Sequence, residues 1–159
     1  MHEIERRFIA RVSDAAALAA GPSRRLEQGY LAAGEPAVRV RLDGGVWLLT
    51  VKSGHGLVRR EVEAPLPADV GAELLDMAPL RLSKVRHRLG RWEVDVFEGA
   101  LAGLVLAEVE LRAADEPTPA PPPAVLLLRE VTEDARFVNQ ALAGLDPPAA
   151  AALVRFAYE

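Results

Sequence analysis

HEIERRF, residues 2 to 8, decides how the rest of the chain is read. Glu3, Glu5 and Arg7 share one parity, and Ile4 and Phe8 the other. Successive side chains of a strand point to opposite faces, so a strand here sets two carboxylates and a guanidinium on one face. For one strand, a polar face in water is explanation enough. The pattern, however, returns along the chain. AVRVRL places Arg39 and Arg41 opposite Val38, Val40 and Leu42, and VWLLTVK sets Lys52 against Trp47, Leu49 and Val51. REVEA pairs Glu61 with Glu63. LSKVRHRL aligns Lys84, Arg86 and Arg88, RWEVDVF aligns Glu93 with Asp95, and LAEVEL aligns Glu108 with Glu110.

Two features set these faces apart from ordinary solvated sheet. The charges are sorted by strand, acidic or basic, and the Thr, Ser and Gln usual on a wet sheet face are nearly missing, Thr50 being a rare case. Closing the sheet with the charged face inward accounts for both. Small barrels normally fill with apolar side chains. A dry interior this charged is untenable, at several kcal/mol per ion. The interior must therefore hold water, metal and a charged ligand. Carboxylates without Cys or His neighbours suit hard divalent cations, and clustered Arg and Lys suit phosphate oxygens. The chemistry points to a pocket for a metal-bound polyphosphate.

Composition narrows the class further. At 159 residues, half of them hydrophobic, with mean hydropathy +0.09, the chain has the size and content of one folded domain over 1–159. A net charge of −4 gives no general attraction to nucleic acid or to acidic membranes. With no cysteine, disulfides, thiol nucleophiles and Cys-based zinc sites are excluded. The charged start lacks the apolar run of a secretory signal, and no stretch approaches a membrane span, so a soluble cytoplasmic protein is expected. Seventeen arginines stand against two lysines, and Lys52 and Lys84 both fall on the charged faces.

Along the chain, LEQGYLA, AVRVRLDGG, VWLLTVK, LVRREVEAPL, LRLSKVRHRL, GRWEVDVFEG and LVLAEVELR follow the first strand as further strands. SDAAALAAG predicts a short helix capped by Ser13 and stopped at Gly21, and PADVGAELLDM, residues 67 to 77, a second. DEPTPAPPPA, residues 115 to 124, predicts an extended Pro-rich loop. TEDARFVNQALAG predicts a helix with Thr132 as cap, and DPPAAAALVRF a last helix with Asp146 as cap, the two lying at about 132–157. The expected fold is mainly β (α+β): a closed antiparallel barrel with peripheral helices. The three histidines, His2, His55 and His87, are read as surface residues, and Trp47 and Trp92 as core. Arg59 and Arg88 share parity with the charged faces but sit near strand ends, so both an interior and a solvated place stay open for them.

EIERR resembles the ExExK signature of the CYTH superfamily, the triphosphate tunnel metalloenzymes. QGYL, VRVR, LTVKSG, REVE, SKVRH, WEVDVFEG, AEVEL and REVTEDARF resemble its later segments in order, from residue 2 to about 140. ExExK alone is a weak motif, but eight segments in the right order are a strong one. The resemblance implies a closed eight-stranded antiparallel β tunnel with a charged interior and a small-molecule triphosphate substrate, with no nucleic-acid or membrane partner. It implies Mg²⁺ or Mn²⁺ on Glu3, Glu5, Asp95, Glu108 and Glu110, and phosphate on Arg39, Arg41, Lys52, Lys84 and Arg86. Glu61, Glu63 and Arg7 fall at catalytic positions. Arg7 stands where the signature has lysine; a guanidinium keeps its proton at any ordinary pH, so it can hold a phosphate but cannot act as a base.

The activity so implied is metal-dependent hydrolysis of a triphosphate, inorganic triphosphate first, to pyrophosphate and phosphate. Nucleoside or thiamine triphosphate hydrolysis, adenylate cyclisation of the class IV type, and non-catalytic binding of a polyphosphate or nucleotide are the alternatives. Either a monomer or a homodimer suits this sequence.

Overall fold

The computed structural model describes residues 2–159. Nine strands make one antiparallel sheet: β1 (His2–Val12), β2 (Ser23–Ala32), β3 (Ala37–Asp43), β4 (Val46–Ser53), β5 (Val58–Leu66), β6 (Leu80–Leu89), β7 (Trp92–Phe97), β8 (Val105–Glu110) and β9 (Val125–Glu130). They run in the order β5-β4-β3-β2-β6-β7-β8-β1-β9, and a further pairing of β5 with β1 closes the first eight into a barrel. The closed barrel expected from the charged faces, and the eight-stranded antiparallel tunnel implied by the resemblance, are thus the architecture observed. Four helices surround it: α1 (Ala15–Ala20), α2 (Ala68–Met77), α3 (Asn139–Ala143) and α4 (Pro147–Ala157).

Strand β1 does three jobs. Its first residues pair with β5, from His2 opposite Arg60 to Ile4 opposite Val58. Glu5 to Ile9 pair with β8, and Phe8 to Val12 pair with β9 with a register shift between Ile9 and Ala10. Along one edge, β1 therefore closes the barrel and then peels away to carry β9 outside it.

The outward parity is apolar and lies under the elements laid over the barrel, while on the inward parity Ile9, Leu82, Phe97 and Leu106 follow the charges and plug one end of the interior against the C-terminal elements. Ile9, Phe97 and Leu106 pack with Phe137, Leu142 of α3 and Ala150 and Ala157 of α4. Ala10, Val94, Ala107 and Val109 pack with Leu18 of α1 and with Ala124 and Val125 beyond the Pro-rich loop. Fully burying one such side chain stabilises by about 1.5–3 kcal/mol, so the plug at one end and the layer outside the barrel together support the charged interior. Trp92 belongs to this layer, and its indole N–H donates to the Ala120 carbonyl at 2.9 Å, pinning the Pro-rich loop. Helix α2 lies so close to β4 that a Cβ on Gly71 would sit 2.4 Å from the Trp47 ring.

Three local features differ from the sequence reading. Asp14, one residue after Ser13, caps α1 by accepting from the Ala17 N–H at 3.0 Å, while the Ser13 hydroxyl donates to the Pro123 carbonyl. TEDARFVNQALAG is not one helix but a 3₁₀ turn, Ala135–Phe137, followed by α3. Thr132 cannot cap it, because its hydroxyl accepts the Arg7 N–H and donates to Glu130. Strand β9 was not anticipated: VLLLRE has no alternation to mark a half-buried strand. Asp146 does cap α4, accepting from the Ala149 N–H at 2.8 Å with Pro147 in the first turn.

Candidate active site

Inside the barrel the charges form two walls of different character. On β6, β7, β8 and β1 the central charges are paired and buried, whereas Arg88 and Glu110 toward the strand ends are exposed. The Lys84 ammonium, fully enclosed, lies 2.5 Å from Asp95 Oδ2 and donates to Asn139 Oδ1 at 3.0 Å. Arg86 grips Asp95 with two parallel bonds of 2.7 Å and reaches Glu108 at 3.1 Å. Arg7 donates to Glu108 at 2.7 Å and to Glu5 at 3.0 Å. The ladders dictate this: Arg86 is directly opposite Asp95, and Arg7 opposite Glu108. Cross-strand partners share a face, so opposite charges meet without any loop to position them.

Titration follows the pairing. Burial pushes the Asp95 and Glu108 carboxyls up, but the cations beside them more than reverse this and hold both below the ordinary range. Burial pushes Lys84 down to about 8 against the pull of Asp95. Glu5 goes the other way: burial and the neighbouring Glu108 raise it to about 7, with Arg7 opposing.

The wall of β3, β4 and β5 is loosely paired. Arg41 is 8% exposed, yet no carboxylate pairs with it among the described residues; its Nε donates to Gln28 Oε1 at 3.3 Å. Burial, with Arg39 and Arg86 nearby, lowers it to about 10. Arg39 donates to the Thr50 hydroxyl at 3.1 Å, its nearest carboxylate, Glu63, is 3.8 Å away, and its Nε is buried without an acceptor. Thr50 in turn donates to Glu63 at 2.9 Å. Lys52 sits 3.1 Å from both Glu3 and Glu61, and Arg59 lies 2.9 Å from Glu5 and 3.5 Å from Glu3.

Between the walls lies a cavity of about 260 Å³. A second, of about 480 Å³, opens on the same Glu5, Arg7, Arg39 and Lys52 at the end where Tyr30, His55 and Val138 gather. Glu3, Glu5, Arg7, Arg39, Arg41, Lys52, Glu61, Glu63, Arg86, Glu108 and Glu110 all line the first. Lys84 and Asp95 line neither, being sealed against each other behind Arg86. No three acidic side chains converge to hold one ion among the described residues; Arg7, Lys52 and Arg59 stand between them.

Arg59, in phase with Glu61 and Glu63 but near a strand end, is an interior residue and not a solvated one, whereas Arg88 is exposed. Gln28 and Thr50, fully buried, were missed, as polar residues on a face read for charge. Asn139 carried no signal, because it enters the site from α3. Arg129 and Glu130 serve the exterior: Arg129 stacks on Phe156 of α4 at 4.8 Å, and Glu130 meets Arg6 and Thr132. No helix among the described residues is long and apolar enough to cross a membrane.

No family model matches the sequence. The chain is 37% identical over 153 residues to an inorganic triphosphatase of Nitrosomonas europaea, spanning 90% of this chain and 97% of that protein. It is 36% identical over 148 residues to an inorganic triphosphatase of Acetivibrio thermocellus, spanning 88% and 92%. The crystal structure of an inorganic triphosphatase superposes with a TM-score of 0.61 at 30% identity, covering 91% of this chain and 99% of that one. Similarity of this extent over a shared fold makes the chain a member of the inorganic triphosphatase family.

Proposed function

We propose that this chain hydrolyses inorganic triphosphate to pyrophosphate and phosphate with a divalent cation, Mg²⁺ or Mn²⁺, in the 260 Å³ cavity. The observation that carries the reading is the pair Arg39 and Arg41: two buried guanidiniums without close carboxylate partners, facing a wall of carboxylates. A buried cation left unpaired is costly unless an anion arrives to meet it. A linear polyanion meets them, and the carboxylates opposite meet its metal.

The donor set fits such a cation. Glu3, Glu5, Glu108 and Glu110 offer hard oxygens with no Cys or His beside them, and a dication would offset the burial and the neighbouring Glu108 charge that raise Glu5. When bound, the metal would neutralise charge building on the leaving phosphates. Everything else falls to the chain. Arg39, Arg41 and Lys52 hold non-bridging oxygens, with Arg86 held flat by Asp95 and Lys84 at the far side. The phosphate and metal contacts implied for Lys84 and Asp95 by resemblance thus become support for Arg86. Glu61 and Glu63, anchored by Lys52 and Thr50, orient the attacking water. Arg7, raised further by Glu108 and Glu5 despite its burial, stays charged and stabilises negative charge without moving a proton. Positioning and electrostatics then supply the catalysis, as phosphoryl transfer requires.

Phosphate release from tripolyphosphate, ATP, thiamine triphosphate and pyrophosphate, each with Mg²⁺, Mn²⁺ or EDTA, tests this. Fast, metal-dependent release from tripolyphosphate alone is expected. Release chiefly from an organic triphosphate would move the substrate, and tight binding without release would make the tunnel a sensor.

A further inference from the structure

Arg59 is the interior residue whose contacts the reading above leaves without a role. The β1–β5 ladder sets it directly opposite Glu3, and its Nη2 lies 2.9 Å from Glu5 and 3.5 Å from Glu3. The side chain is 12% exposed and faces the 480 Å³ cavity beside Lys52 and Arg39. Its Nε is buried and has no acceptor. Among the described residues Arg59 alone combines these features. Arg39 also has an idle Nε but touches neither Glu3 nor Glu5, while Arg7 spends its Nε on Glu108.

We propose that Arg59 is an exchangeable counter-ion: it holds Glu3 and Glu5 in the ligand-free tunnel and moves to a phosphate oxygen when a metal-bound triphosphate enters. The inference rests on the metal–triphosphate reading of the tunnel. The physical case has three parts. A guanidinium this close to two carboxylates competes with any dication for them, so the empty tunnel binds metal poorly. Its planar fork suits phosphate as well as carboxylate, and the idle Nε gives it a donor to use on arrival. A phosphate that draws Arg59 away leaves Glu5 with Arg7 and Glu3 with Lys52, so each carboxylate loses one of the two cations that compete with the metal. Metal and triphosphate therefore bind cooperatively, each tightening the other by the same factor.

The test is Mn²⁺ binding, followed by electron paramagnetic resonance, with and without tripolyphosphate, in the natural protein, Arg59→Gln and Arg59→Lys. In Arg59→Gln, Mn²⁺ alone should bind on the order of tenfold tighter, and the gain conferred by tripolyphosphate should shrink by a similar factor. Arg59→Lys, which keeps the charge but loses the fork, should fall between. Unchanged or weaker Mn²⁺ binding in a folded Arg59→Gln overturns the proposal. Should Arg59→Gln fail to fold, Mn²⁺ affinity in Arg59→Lys no tighter than in the natural protein overturns it instead. Failure is separable from that of the underlying reading. A natural protein that binds no Mn²⁺ even with tripolyphosphate removes the metal site itself, whereas normal binding there with no change in the variants removes only the role of Arg59.

Discussion

The two walls of the tunnel carry similar charges and treat them in opposite ways. On β6 to β8, Lys84, Arg86, Asp95 and Glu108 satisfy one another at 2.5 to 3.1 Å and admit little water. On β3 to β5, Arg39 and Arg41 lean on the neutral Thr50 and Gln28, and Glu63 stays 36% exposed. The first wall behaves as a frame and the second as a receptor. Cutting the frame should therefore cost stability, and cutting the receptor should cost binding and turnover.

The frame gives the largest effect. Asp95→Ala leaves Lys84 and Arg86 buried without their shared carboxylate, and should cost about 3–5 kcal/mol, or roughly 10 °C in Tm. A calorimetric scan checks this; a near-native Tm would make the frame no different from the receptor. Arg41→Ala should do the reverse. Its melting curve should stay close to the natural one while kcat/KM for tripolyphosphate falls about 10²–10³-fold, the loss typical of one stabilising donor. A variant that melts early with its activity kept would invert the comparison.

Glu5 stands where the walls meet and gives an intermediate effect. Its folded form keeps the proton to about 7, whereas an unfolded chain gives it up near 4.5. The folded state thus holds more protons over that window, so metal-free protein should lose stability as pH rises from 4.5 to 7, by roughly 2–3 kcal/mol. Melting in EDTA across that range would show the slope, and Glu5→Gln should flatten it. The smallest effect belongs to Asn139→Ala, which removes from the Lys84 ammonium one bond to a neutral acceptor and should lower stability by about 1.5 kcal/mol. A much larger loss would mean that α3 is part of the frame.

The barrel was legible in the sequence because period-2 alternation is a long-range statement made locally: Glu3, Glu5 and Arg7 must share a face wherever β1 goes. The paired carboxylates and arginines named the ligand chemistry for the same reason. What stayed hidden depended on partners across the fold. Nothing in SKVRH or WEVDVFEG reveals that Lys84 and Asp95 neutralise each other out of reach of either cavity, since that follows from the register of β6 on β7. Asn139 was invisible because its place is set by a turn whose expected cap, Thr132, is taken by the Arg7 backbone. Arg59 was in phase with two acidic neighbours, and its place stayed open only because it stands near a strand end.

Arg7 meets Glu108 across 101 positions of chain, because the first strand is partnered by the last strand of the barrel. A growing chain cannot bring them together until β8 has been made, and closure over such separations is intrinsically slow. Until then the edge of β1 from Glu5 to Ile9 waits open, a template for pairing with other nascent chains. Glu5 and Arg7 guard it during that wait, since charged strands discourage such pairing. The side chains that later line the tunnel thus first keep the unfinished protein apart from its neighbours on the ribosome.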